Sequence, residues 1–124
     1  MKCYDWAIAQ REAGNCVISG FHSQIEKDVF HHLLKGKQPV ILVLARGMKK
    51  QWDVQIEKAI NDNRLLIITP FEKTVTRPSN ETALISNKLM AELADEIVIG
   101  YAQPDGNISK MISGFPNKKF IRLQ

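Results

Sequence analysis

Short apolar runs that do not alternate with polar residues restrict the fold of this chain more than anything else in it. They fall at residues 16–19, 40–45, 65–69 and 97–100, and more weakly at 119–123. A half-exposed sheet alternates apolar and polar side chains, whereas a strand covered on both faces reads as a continuous apolar run, so these segments are expected to be strands of a buried sheet. Helical patterns lie between them, at 4–13, 24–34, 50–61 and 80–94, with a short and poorly defined element at 108–112. Ile25, Val29 and Leu33 recur at helical spacing in the second pattern, Trp52, Ile56, Ala59 and Ile60 in the third, and Leu84, Ile85, Leu89, Met90 and Leu93 in the fourth. Gly14-Asn15 and Gly36 supply stops. Strands alternating with crossover helices predict a parallel sheet in an α/β layer fold.

A chain of 124 residues that is 44% hydrophobic is expected to form one domain, 1–124, around one core. No stretch reads as an interdomain linker, a repeat or a low-complexity tract, and 72–79 is the longest segment without periodicity, expected as a loop beside the site. Seventeen Lys and Arg against thirteen Asp and Glu leave a net charge of +4, which is compatible with a nucleotide or nucleic-acid partner without singling one out. Cys3 and Cys16 make neither a disulfide framework nor a metal spacing, and Cys16 is expected to be buried and reduced. No run reaches the length of a membrane span and no basic, apolar leader opens the chain, so the expectation is a cytoplasmic protein without a membrane partner.

Ligands of parallel α/β sheets collect outside the carboxyl ends of the strands, which turns the βα corners into candidate site positions. The first corner is Ser19-Gly20-Phe21-His22-Ser23. Ser23 and Glu26 fit a capping box, and the amides of that helix start, approached across Gly20, are expected to receive a phosphate. His22 either contacts the ligand or satisfies a backbone carbonyl. The second corner, Arg46-Gly47, offers a fork of donors to a phosphate, or else a solvated arginine. Phe71, after Thr69-Pro70, either stacks on a ligand or packs. Asn87 and Lys88 on the fourth helix, and Gly106 in the 101–107 turn, complete the candidates. His31 and His32 lack a third ligand at metal spacing, so no metal and no cofactor is expected.

With these corners in place, the order of motifs resembles that of the DNA-processing DprA/Smf family over residues 4–112. Ser19-Gly20 opening a helix is similar to the family's S-G-x-A-x-G-I-D corner, VILVLARGM to its strand and glycine-rich turn, LLIITPF to its strand ending in S-E-x-P, and ISNKLMAELADEIVIGYA to its R-N-R-I-I-A-x-L-S-D-x-V-x-V-V-E-A segment. Small stand-alone DprA-like proteins with GGFHSPMEKE and QPVVICPARG segments look closer still. The resemblance implies a Rossmann-like three-layer αβα sandwich with a mainly parallel sheet of about five strands, binding a nucleotide or single-stranded DNA through Ser19, Gly20, His22, Ser23, Arg46, Asn87 and Lys88. Two departures stand out. Ser86-Asn87-Lys88 replaces the family's Arg-Asn-Arg, and the family's first strand and G-S-R turn have no counterpart ahead of the first helix, which leaves three alternatives: a chain shortened relative to its relatives, a sheet that closes up without that strand, or a homodimer that covers the exposed sheet edge.

A phosphoribohydrolase-like enzyme is the rival reading, since those enzymes share the broad fold. Their P-G-G-x-G-T-x-x-E segment does not occur in this sequence, which favours a binding module over an enzyme. A partner-binding domain with a decayed ligand site is a third alternative.

Overall fold

The computed structural model describes residues 3–21, 24–99 and 118–122. Among the described residues four helices and five strands follow one another as α1 (Cys3–Ala13), β1 (Val17–Ser19), α2 (Gln24–Leu34), β2 (Val40–Val43), α3 (Val54–Asn61), β3 (Leu65–Ile68), α4 (Asn80–Leu93), β4 (Glu96–Ile99) and β5 (Lys119–Arg122). The α/β class expected from the apolar runs is what the chain forms. Strands β1, β2 and β3 make one parallel sheet in that order, with Val17, Val40 and Leu65 in one cross-strand row and Ile18, Ile41 and Leu66 in the next. The single sheet of about five strands is not formed among the described residues: β4 pairs with β5 in a separate two-stranded parallel ladder.

Both crossovers, β1–α2–β2 and β2–α3–β3, step the same way across the sheet, and right-handed crossovers therefore place α2 and α3 on one face. The core agrees. Val40, Leu42 and Leu65 share a buried cluster with Val29 and Leu33 of α2, Ala59 of α3 and Ala7 of α1, which packs on α2. Leu33 is fully buried, and each such side chain contributes about 1.5–3 kcal/mol. The opposite face is less well covered: Val43 is buried, but Ile18 and Ile41 are half-buried and Leu66 is 57% exposed. Helix α4 buries Ser86 and Ala91.

Local signals account for the element ends. Gly14, at φ 75°, adopts the left-handed conformation that stops α1, and its N–H donates to Arg11 O at 3.3 Å. Ser79 caps α4 by accepting from Thr82 N at 3.1 Å, while Thr82 Oγ1 accepts from Ser79 N at 2.8 Å, a capping box with threonine in place of glutamate. At the other end Lys118 Nζ donates to Ala94 O at 2.7 Å, setting a cation against the negative end of the helix. Among the described residues no helix is long and apolar enough to cross a membrane.

Candidate functional site

Because the three strands are parallel, the turns after β1, β2 and β3 open on one rim of the sheet. Two of them close with the same local device. Ser19 Oγ accepts from Phe21 N at 3.1 Å, and Thr69 Oγ1 accepts from Phe71 N at 3.1 Å, so a hydroxyl at each strand end turns the chain before a phenylalanine. Thr69 Oγ1 also donates to Arg46 O, tying the β3 exit to the β2 exit.

Several expected site residues are placed by other duties. Gly20 is buried. Phe21, expected in the ligand corner, belongs to the core instead: it is 6% exposed, its ring stacks on Phe30 with centroids 4.4 Å apart, and its backbone takes the left-handed conformation at φ 49°. A large aromatic surrounded by apolar neighbours gains more from burial than from facing a polar ligand. Gly47, expected to offer its backbone to a phosphate, donates its N–H to Val75 O at 2.7 Å, and a Cβ there would collide with the carbonyl of Glu72. Its glycine character admits the 72–75 turn.

Arg46 is half-buried, and its Nε donates to Gly47 O at 3.2 Å, which holds the guanidinium at the corner. Asn87 is half-buried and Lys88 exposed on α4. His22, Ser23 and Gly106 lie outside the described residues, and so does part of the expected Ser23–Glu26 capping box.

The rim holds a feature that periodicity hid. The pattern at 50–61 predicts a helix from Lys50, yet α3 begins only at Val54, with Asp53 as its N-cap, extended at ψ 154°. Residues 48–53 therefore form a loop, and Trp52 leaves the helical face that spacing assigned to it. Trp52 packs partly against the core, Lys49 Nζ sits 5.1 Å from its ring centroid, and Lys49, Gln51, Trp52, Asp53 and Ile56 line a cavity of about 330 Å³. An aspartate ahead of Val54-Gln55-Ile56 was the available signal, because Asp favours the N-cap over the second turn of a helix. The loops 44–53 and 69–79 carry Arg46, Lys49, Lys50, Lys73 and Arg77 against Asp53 and Glu72, an excess of positive charge at this rim.

A larger cavity, about 390 Å³, lies on the opposite rim between the ends of α2 and α3, lined by Lys35, Lys58 and Arg64 among others. Its arginine is committed to the fold: Arg64 Nη1 donates to Leu34 O at 3.1 Å and Nη2 to Leu33 O at 3.4 Å. The carboxyl rim offers charge, an aromatic ring and polar side chains together, and it is the better candidate despite its smaller volume. Among the described residues no group of three or more His, Cys, Asp or Glu is placed to hold a metal ion. No protein-family model matches the chain, and no curated protein matches it.

Proposed function

We propose that this chain binds the phosphate of a nucleotide or of a single-stranded nucleic acid at the carboxyl rim of the β1–β2–β3 sheet, in the manner of a DprA-like, Rossmann-type domain. The observation that carries this reading is the run of Arg46, Lys49 and Lys50 directly after β2, beside an aromatic-floored cavity and on the rim where β1 and β3 also end. Cations on one rim attract a polyanion and release its counterions. Parallel sheets of this kind gather ligands at that rim. The reading is of a binding module. It also places α4 as the start of a second helical layer, over the part of the other sheet face that bears the buried Val43 and short of the exposed Leu66.

The test is anisotropy of a fluorescent single-stranded oligonucleotide titrated over a series of salt concentrations. Affinity is expected to fall steeply with salt, and each of Lys49→Ala and Lys50→Ala to flatten the log–log slope by about 0.7, the value for one lost phosphate contact on a single strand. Failure to bind either nucleoside monophosphates or oligonucleotides at low salt would overturn the proposal.

A further inference from the structure

The phosphate reading leaves one feature of the rim without work: an indole held half open in a loop. Residue 52 precedes the helix, so its ring is fixed by packing on one side while the rest faces the cavity of about 330 Å³. The side chains around it are of three chemical kinds. Trp52 presents a π face, Lys49 is a cation on a long and exposed stem over that face at 5.1 Å, and Gln51 and Asp53 are short polar groups at its margin. The Asp53 carboxylate makes no bond to the helix that it precedes, although an N-cap position normally engages it there.

We propose that this pocket is a nucleobase subsite, with Trp52 as the stacking platform. The proposal rests on the carboxyl-rim reading and adds to it which part of the ligand is recognised, and by what. A base stacks on any aromatic face, so Trp52 supplies affinity with little regard to sequence. Lys49 occupies that face while no base is present. Its flexible stem lets it swing off the ring, and its ammonium then pairs with the phosphate of the same nucleotide. Asp53 is an acceptor only, and Gln51 both donates and accepts, so the edge they meet is one that carries an exocyclic amino group. Adenine and cytosine present such a group where uracil and thymine present a carbonyl oxygen. The site is therefore specific for the base class and not only for the charge.

The experiment starts from Trp6→Phe, which leaves Trp52 as the only tryptophan in a chain that has two. Its emission is followed while adenosine monophosphate, uridine monophosphate and ribose 5-phosphate are added in turn. A short oligodeoxyadenylate is compared with an abasic strand of the same length. The expected result is quenching by the adenine ligands but not by ribose 5-phosphate or the abasic strand, with the adenine ligands bound about tenfold more tightly, within the range that one stacked base supplies. Trp52→Leu keeps an apolar body against the core and removes the π face. It should lose that tenfold while the affinity for ribose 5-phosphate and the abasic strand stays unchanged. Asp53→Asn, a change at the surface, should narrow the preference for adenosine over uridine monophosphate. Equal binding of base-bearing and base-free ligands, with Trp52 emission unchanged, overturns the subsite and leaves the phosphate reading standing. If none of these ligands binds, both fall together.

Discussion

Arg64 holds the amino rim of the sheet through backbone groups that the helix itself cannot satisfy. The last carbonyls of α2 lack i+4 partners; those of His32 and Leu33 accept from Lys35 N at 3.3 Å and Gly36 N at 3.1 Å in the turn that follows, and Arg64 adds donors to Leu33 and Leu34, alongside Gln38 Nε2 on Leu33 O at 2.9 Å and Arg11 Nη1 on His32 O at 3.3 Å. Arg64→Met keeps the apolar stem and removes the charged donors. It should cost about 2 kcal/mol, read as a lower denaturant midpoint at constant m-value, and an unchanged midpoint would mean that water serves the carbonyls equally well. Cys16 shows a different local effect. The residue is exposed, contrary to the buried thiol expected from its apolar neighbours, because it lies in the connection just before β1. Desolvation still pushes its thiol above the ordinary value. A raised value favours the neutral form, so less reactive thiolate is present at any pH below it. In a Cys3→Ser background, alkylation of Cys16 by iodoacetamide at neutral pH should be slower than that of a free cysteine peptide, with its pH midpoint displaced upward; a midpoint at or below the peptide's would contradict this.

At the scale of elements, the link between the β2 and β3 exits governs the shape of the rim. The Gly47 N–H and the Thr69 hydroxyl join the two turns, and the absence of a side chain at 47 lets Glu72 and Lys73 come close. Gly47→Ala forces the backbone of the 72–75 turn to move, at an expected cost of about 1–3 kcal/mol. Amide exchange at residue 47 should accelerate at the same time, since its bond to Val75 is the first to be strained; unchanged protection there would show that the turn adapts without cost. Helix α4 depends on its cap in a simpler way. Ser79→Ala should destabilise it by about 1 kcal/mol, measured by thermal unfolding, and Ser79→Asp should restore most of the loss.

For the molecule as a whole, the two faces of the three-stranded sheet differ in how much water they exclude. Leu42 is 6% exposed against α1, α2 and α3, whereas Leu66 on the other face is 57% exposed. Leu42→Ala should cost about 3 kcal/mol, while Leu66→Lys should change stability by no more than about 0.5 kcal/mol. A large loss for Leu66→Lys, measured by the same denaturant titration, would show that something covers this face in solution. Both residues sit in apolar runs of the same strength, so local pattern alone predicts equal burial for them. Their difference follows from which helices cross which face.

Much of the molecule was legible in one dimension. The parallel α/β class, the first three strands, the stops at Gly14 and Gly36 and the bounds of α2 follow from apolar runs, helical spacing and glycine, because each of these is a local property of the backbone and its nearest side chains. The βα corners were also legible as places, since parallel strands must end on one rim. Tertiary contacts decided what each corner residue does there. Phe21 turned into the core because Phe30 waits for it, and Gly47 gave its N–H to a turn from another part of the chain. Trp52 left its helix when Asp53 set the start one turn later. The division of β1–β3 from β4–β5 was likewise invisible in the runs themselves. Strand pairing joins residues far apart in sequence, and hydrogen bonds between distant segments leave no period for a linear pattern to reveal.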